Sequence, residues 1–141
     1  MITNKIYNIG KKIFPINRSI TGVGTRKTLK ILKSIVPQLK IKKINAGEKV
    51  FDWAIPSEWN VNEAFIKDKY GKKIIDIKTN NLHLVGYSEP VHCFLKKKKL
   101  LKRINSLKKQ PNAIPYITSY YKKYWGFCST ENQKKNILKD Y

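Results

Sequence analysis

Apolar residues recur every three or four positions in two early stretches of the chain, which is the spacing of one helix face. The first stretch predicts a helix over residues 3–14 that Pro15 ends, and the second, "TRKTLKILKSIV", predicts a helix that Pro37 ends. Thr21 or Thr25 would supply the N-cap of the second helix. The apolar positions are Ile2, Ile6, Ile9 and Ile13 in the first helix and Leu29, Leu32, Ile35 and Val36 in the second.

After Leu39 the apolar positions alternate with polar ones, which is the pattern of a half-buried strand. Residues 50–55 predict one such strand, and "NLHLVGYSEPV" predicts another that ends at Pro90. Between them, "EAFIKDKYGKKIIDIK" predicts a hairpin that turns at residues 68–71. This part of the chain is therefore expected to be rich in β-structure.

Helical spacing returns in "LKKKKLLKRINSLKK", which predicts a basic helix. A proline-bounded loop then leads into the aromatic stretch "PYITSYYKKYWGFC". The predicted fold class is α+β. Its three segments are an N-terminal helical part (1–40), a β-rich inserted subdomain (41–95), and a basic helix with an aromatic return segment (96–141).

The formal net charge of +21 first suggests a polyanionic partner. Arginine, which has the bidentate fork suited to phosphates and base edges, occurs only at three of the 30 basic positions: Arg18, Arg26 and Arg103. The excess of lysine, together with abundant isoleucine and asparagine, is explained by A/T-rich codons. We therefore do not expect a nucleic acid as the main partner, although a basic nucleic-acid-binding module and a non-catalytic interaction domain remain the alternative functions.

The cysteine content and the hydropathy pattern predict a cytoplasmic protein. Cys93 and Cys128 are too few for a disulfide scaffold and lack a CxxC metal spacing. No secretory signal opens the sequence, and no stretch approaches the roughly 20 apolar residues of a membrane span. We therefore expect no membrane association.

Residue types that support catalysis are present but form no complete site. His83 and His92 begin no HxxxH or HxxE spacing, and Ser19 is not part of a GxSxG elbow. A pairing of Cys128 with a histidine would need proximity in space, and a buried inert thiol is the simpler interpretation. The sequence thus predicts neither a catalytic residue nor a metal ligand in this chain.

Four blocks of the sequence, in order, resemble a bacterial aminopeptidase-like family of the zinc exopeptidase type, long grouped with domains of unknown function. The resemblance runs from about Phe14 to Gln133. Members of that family often accompany surface-polysaccharide biosynthesis genes. The blocks are "FPINRSITGVGTRKTLKILKSIVP", "GEKVFDWAIPSEWNVNEAFIKD", "NLHLVGYSEPV" and "QPNAIPYITSYYKKYWGFC".

The resemblance implies that this chain is an N-terminal fragment of a larger α/β protein of the zinc exopeptidase type. In the family the zinc ligands follow the segment that matches "WGFC", so this chain is expected to hold no zinc and to be inactive alone. A separate chain carrying the remaining catalytic domain would be its partner. The substrate implied for full-length relatives is a peptide or an aminoacyl compound.

The aromatic stretch has two interpretations. Tyr120, Tyr121, Trp125 and Phe127 are candidate substrate-binding residues that wall a cleft, with Arg18 and Ser19 as polar partners. Arg18 would hold a substrate carboxylate by a bidentate contact. The same rings would alternatively fill a seam between subdomains, an interpretation that suits Trp125 and Phe127 best. A stacking platform for bases is a further alternative.

Overall fold

The computed structural model describes residues 2–140, which form helices and small sheets and confirm the predicted α+β class. The chain divides after Val61 into a first unit, residues 2–61, and a second unit, residues 62–140. This division lies inside the predicted segment 41–95, and the predicted segment boundaries stay a prediction. Among the described residues, every helix is too short or too polar to cross a membrane.

The first unit contains the two helices that the apolar spacing predicts. They are α1 (Ile2–Ile13) and α2 (Val23–Ile35), and they precede the antiparallel strands β1 (Lys49–Val50) and β2 (Trp53–Ala54). The cap of α2 differs from the prediction, because the N–H of Val23 donates to Oδ1 of Asn60 at 2.8 Å. The hydroxyls of Thr21 and Thr25 donate to backbone carbonyls instead.

The predicted strand over residues 50–55 is wrong in one respect, because the chain turns back on itself within it. Phe51 has a φ of 58° and its side chain is 100% exposed, so it lies at the tip of a hairpin. Val50 and Trp53 are partners across that hairpin. Alternation of apolar residues alone does not distinguish a straight strand from such a reversal.

The second unit begins with the predicted hairpin, formed by β3 (Phe65–Lys67) and β4 (Lys73–Asp76). Its turn is stabilised by Asp68, whose carboxylate accepts hydrogen bonds from the N–H groups of Tyr70 and Lys72, both at 2.9 Å. Gly71 has a φ of 83°, a conformation that favours glycine. The residues that predicted this turn, an aspartate and a glycine, are therefore the ones that stabilise it.

The predicted basic helix is much shorter than its spacing suggests. It spans only α3 (Lys97–Leu101), and the chain then enters β5 (Ile104–Asn105), which pairs in parallel with β6 (Phe127–Cys128). Ile104 lies in this ladder with 2% of its surface exposed. A pairing partner more than twenty residues away thus overrides the local helical pattern. Residues 81–91 likewise form a 3₁₀ turn, Asn81–His83, and isolated bridges rather than a regular strand.

A final helix, α4 (Glu131–Asp140), was not predicted from the sequence. Its start is a capping box: the Thr130 hydroxyl accepts from the Gln133 N–H, and the Gln133 side chain accepts from the Thr130 N–H, each at 3.0 Å. The four residues "TENQ" carried that signal in the sequence. Ile137 of this helix completes the core.

The buried apolar residues among those described all lie in the second unit. Five of them form a cluster around the β5–β6 ladder, and half-buried side chains such as Leu84 and Trp125 pack against it. Members of the cluster come from β3, β4, β5, β6 and α4. They are Ile66, Ile75, Ile104, Phe127 and Ile137.

Candidate functional site

The loop that carries Arg18 and Ser19 lies in the first unit and is fastened by hydrogen bonds. The Arg18 guanidinium is exposed and donates to the carbonyl of Ile13. The Ser19 hydroxyl donates to the carbonyls of Thr21 and Trp59, the latter at 3.1 Å. Ser19 therefore serves the conformation of the loop, whereas Arg18 presents its charge to solvent.

Close backbone approaches explain the two glycines of this loop. At Gly22, where φ is 127°, a Cβ would lie 2.8 Å from the carbonyl oxygen of Trp59. At Gly24, a Cβ would lie 1.8 Å from the carbonyl oxygen of Asn17. No side chain fits at either place, so packing of the loop accounts for both glycines without a bound phosphate.

An ion pair also joins the first turns of α2 to the segment before Trp59. Arg26 and Glu58 form a fork-to-fork contact, with one N–O distance of 3.1 Å. The hydrogen bond from the Arg26 guanidinium is the main reason that the pKa of the Glu58 carboxyl is lowered. The contact is close to half exposed to solvent, so it contributes little stability by itself.

Tyr120 and Tyr121 line an open groove of about 320 Å³ in the second unit. The Tyr120 ring lies between the other two tyrosine rings of the groove, in edge-to-face contact with Tyr87 at 4.9 Å and with Tyr121 at 4.7 Å. Tyr121 is 84% exposed, so its ring is the one most open to a ligand. The full lining is Tyr87, Glu89, Ser119, Tyr120, Tyr121, Lys122 and Lys123.

Backbone hydrogen bonds between two distant segments hold this groove in shape. The N–H of Gly86 donates to the carbonyl of Ile117 at 2.9 Å, and the N–H of Ser119 donates back to Gly86 at 2.8 Å. The N–H of Glu89 donates to the carbonyl of Tyr124 at 2.9 Å. The groove is therefore built on paired backbone on both sides of its tyrosines.

Tyr87 occupies an unusual backbone conformation at the edge of the groove. Its φ is 62°, in a turn closed by the Ser88 N–H, which donates to the carbonyl of Val85 at 3.2 Å. Such a position normally favours glycine or asparagine. The buried Ser88 hydroxyl donates to the same carbonyl at 2.7 Å and supports the turn. A bulky residue held in the left-handed region is often associated with function.

Trp125 and Phe127 do not line the groove with the two tyrosines. Phe127 is 7% exposed and belongs to the core cluster. Trp125 is half-buried against that cluster, and its ring centroid lies 4.8 Å from the guanidinium of Arg103. Arg103 also lies 5.0 Å from the Tyr124 ring and donates to the Trp125 carbonyl at 3.3 Å. These contacts favour the packing interpretation of both rings.

Sequence reasoning missed the Tyr87 side of the groove. Tyr87 and Glu89 lie some thirty residues before Tyr120, and they reach it through the bridge between Gly86 and Thr118. The "GYSE" tetrapeptide offered one signal, because a glycine and a serine around a tyrosine are typical of a turn.

Cys128 is not an activated nucleophile. Its side chain is buried, and desolvation raises the pKa of the thiol to about 11. His83, which is also buried, contacts the backbone of this residue, with Nδ1 2.8 Å from the Cys128 carbonyl oxygen. The pair therefore has a structural role.

Cys93 is exposed and Cys128 is buried, and a thiol-labelling experiment would test this difference. We expect iodoacetamide at about pH 8 to modify the exposed Cys93 in the folded chain and to leave Cys128 unmodified, because only a thiolate that is accessible to solvent reacts. Peptide mass spectrometry would identify the labelled residue. In denaturant both thiols should react. Labelling of Cys128 at the rate of Cys93 in the folded chain would contradict its assignment as a buried thiol.

The described residues do not fit a zinc site. No group of three or more histidine, cysteine, aspartate or glutamate side chains among residues 2–140 is placed to hold a metal ion. A catalytic zinc ion usually takes three protein ligands. The described residues therefore do not make up a complete catalytic zinc site by themselves.

Known proteins resemble this chain over nearly its whole length. The family described as a domain of unknown function, DUF2172, matches residues 58–141. A Clostridium acetobutylicum protein named for polysaccharide biosynthesis and an aminopeptidase-like domain is 43% identical over 96% of this chain and 31% of its own length. A crystal structure from the same organism, named as that of a peptidase, matches with a TM-score of 0.89 and 44% identity, over 94% of this chain and 31% of the other. The chain thus spans just under a third of both relatives.

Proposed function

This chain belongs to the DUF2172 family, and from that membership we propose that it is the N-terminal segment of an aminopeptidase-like, metal-dependent hydrolase without activity of its own. The observation that carries the proposal is its close match in fold and sequence to part of a longer protein whose crystal structure is named as that of a peptidase. The name of the curated relative supports a context in polysaccharide biosynthesis. A cytoplasmic location stays a prediction.

Within that enzyme, the chain would supply substrate contacts and no metal ligands. Tyr120 and Tyr121 are the favoured contacts, because they share an open groove. Arg18 is the favoured anchor for a carboxylate, since its guanidinium is exposed. Ser19, Trp125 and Phe127 are better explained by the contacts that hold the loop and the core. A zinc ion held by other residues of the enzyme would act as a Lewis acid.

We further propose that the N-terminal helices are part of the peptidase-like domain and pack against the rest of it. Apolar side chains of the α1–α2 region are more than half exposed, including Ile6 at 64% and Phe14 at 60%. The relatives are about three times as long as this chain, so their remaining parts are candidates to cover these side chains. A separate chain that carries the remaining part of the peptidase-like domain would cover these side chains equally well.

Enzyme assays would test this function. The purified chain should release no product from aminoacyl p-nitroanilides with added zinc, while the full-length Clostridium acetobutylicum relative should release it and lose activity with a chelator. The remaining two-thirds of that relative, mixed with this chain, should regain part of the activity. The physical reason is that the chain supplies substrate contacts while the other part supplies the metal ligands.

Two variants make the mixing experiment specific. Ile6→Lys should weaken the regained activity, because it places a charge in the proposed contact. Asn4→Lys is the matched control, since it adds the same charge at an exposed polar residue of the same helix. Turnover by the chain alone would overturn the proposed inactivity. A full-length relative that cleaves none of the substrates, or that ignores the chelator, would overturn the hydrolase assignment.

A further inference from the structure

The arrangement of the rings in the tyrosine groove suits a single ligand ring. The interplanar angles are 89° for Tyr87 with Tyr120 and 86° for Tyr120 with Tyr121. Successive rings are therefore perpendicular, and they do not form the row of parallel faces on which consecutive bases would stack. The Tyr121 side chain is the most exposed of the three at 84%, so its ring is accessible to a ligand. Its negative π-face attracts C–H groups that carry a slight positive charge.

The polar side chains of the groove offer both donors and acceptors. Lys122 and Lys123 are exposed cations next to Tyr121 and can donate to a carboxylate. Glu89 is exposed and accepts hydrogen bonds only, so it suits hydroxyl groups. Ser119 donates to the carbonyl of Gly86 at 3.1 Å and keeps acceptor capacity. A ligand that matches this lining carries hydroxyls and an acidic group.

A saccharide with a carboxylate fits these demands together. One face of a sugar ring presents C–H groups to an aromatic ring, while its hydroxyls both donate and accept hydrogen bonds. The net charge of +21 would raise the rate at which an anionic ligand arrives. From this chemistry we propose that the tyrosine groove binds an acidic saccharide. This inference rests on one part of the proposed function, the context in polysaccharide biosynthesis. It does not rest on the hydrolase activity, because binding requires no hydrolysis.

The rigid support of the groove is consistent with a binding role. Tyr87 is held at a positive φ by the turn that Ser88 closes, and paired backbone on both sides fixes the segments around Tyr120. Rings fixed in this way lose little conformational freedom when a ligand binds. The positive φ of Tyr87 is explained in the same way, since this backbone conformation places the Tyr87 ring against Tyr120.

Calorimetric titration of the full chain would test the proposal, with a galacturonic acid oligosaccharide as the probe. We expect Tyr121→Ala, and separately the Lys122→Ala/Lys123→Ala pair, to weaken binding by about tenfold, the size of one lost stacking or charged contact. Tyr116→Ala is the matched ring control, because Tyr116 is 75% exposed and lies outside the groove. Lys108→Ala/Lys109→Ala is the control with the same loss of charge.

The outcomes separate the saccharide from other ligands. Binding that keeps its strength in the groove variants, or that falls equally in the controls, would show general charge attraction and overturn the proposal. Equal binding of a neutral glucose oligosaccharide would overturn the acidic specificity. Tighter binding of single-stranded DNA or of an aspartate-rich peptide, weakened by the groove variants and unchanged in the controls, would assign the groove to that ligand instead. None of these results depends on peptidase activity, so the proposed function stands or falls separately.

Discussion

Replacing Phe127 by alanine should lower the free energy of unfolding of the second unit by about 3–5 kcal/mol, as deletion of a large core side chain does. Phe127 is 7% exposed and lies in the core cluster. It also forms β6 with Cys128, next to the buried Ile104 of β5. The variant would lose buried apolar surface and leave a cavity beside the ladder. Denaturant titration followed by circular dichroism would measure the change.

The matched control is Tyr121→Ala in the same aromatic stretch. Tyr121 is 84% exposed, so its removal should change the unfolding free energy by less than about 0.5 kcal/mol. The two variants separate a packing role from a ligand-binding role. Phe127, which lies outside the groove, should affect stability, whereas Tyr121, which lines the groove, should not. An unchanged denaturation midpoint for Phe127→Ala would mean that this ring does not fill the core.

Gly24→Ala should disrupt the loop before α2 with a cost of about 1–3 kcal/mol, the range for overpacking. The new Cβ would lie 1.8 Å from the carbonyl oxygen of Asn17, and a backbone group cannot rotate aside as a long side chain can. The loop must therefore move, and the Ser19 contacts with it. Hydrogen exchange should become faster in peptides that cover residues 14–26.

Gly10→Ala is the control for this substitution. Gly10 lies in α1, and a Cβ there would meet nothing within 4 Å. Alanine should stabilise the helix by about 0.5–1 kcal/mol because it reduces the freedom of the unfolded chain. Unchanged exchange in Gly24→Ala would show that the loop adapts and that the glycine is not needed.

Local signals in the sequence predicted several elements that depend on local chemistry, although α4, whose capping box is also local, was missed. The two N-terminal helices follow from their apolar spacing and the prolines after them. The hairpin follows from the side-chain and glycine chemistry of residues 68–71, which the structure shows directly. In these places the preference of the chain and the final fold agree.

Elements that depend on distant partners were not predictable in the same way. Ile104 has the spacing of a helical residue, yet it is buried in a parallel pair with Phe127. Parallel pairing depends on which segments meet, and one-dimensional patterns do not contain that information.

Only part of the candidate site was predictable from the sequence, because the rest depends on contacts between distant segments. Aromatic density pointed to Tyr120 and Tyr121, which do line a groove. It did not separate them from Phe127, because the groove and the core draw on the same residue types. Tyr87 and Glu89 join the groove through a backbone bridge that only the fold reveals.

The composition of the core has a consequence for biosynthesis. Ile66 comes early in the second unit and Ile137 comes from α4, yet both belong to one cluster. During synthesis from the N-terminus, the β3–β4 hairpin therefore leaves the ribosome well before the helix that helps to cover it. Its apolar face stays accessible to chaperones and proteases over that interval. Folding of the second unit is in this sense a late event, and a nascent chain released before residue 131 would be a substrate for quality control.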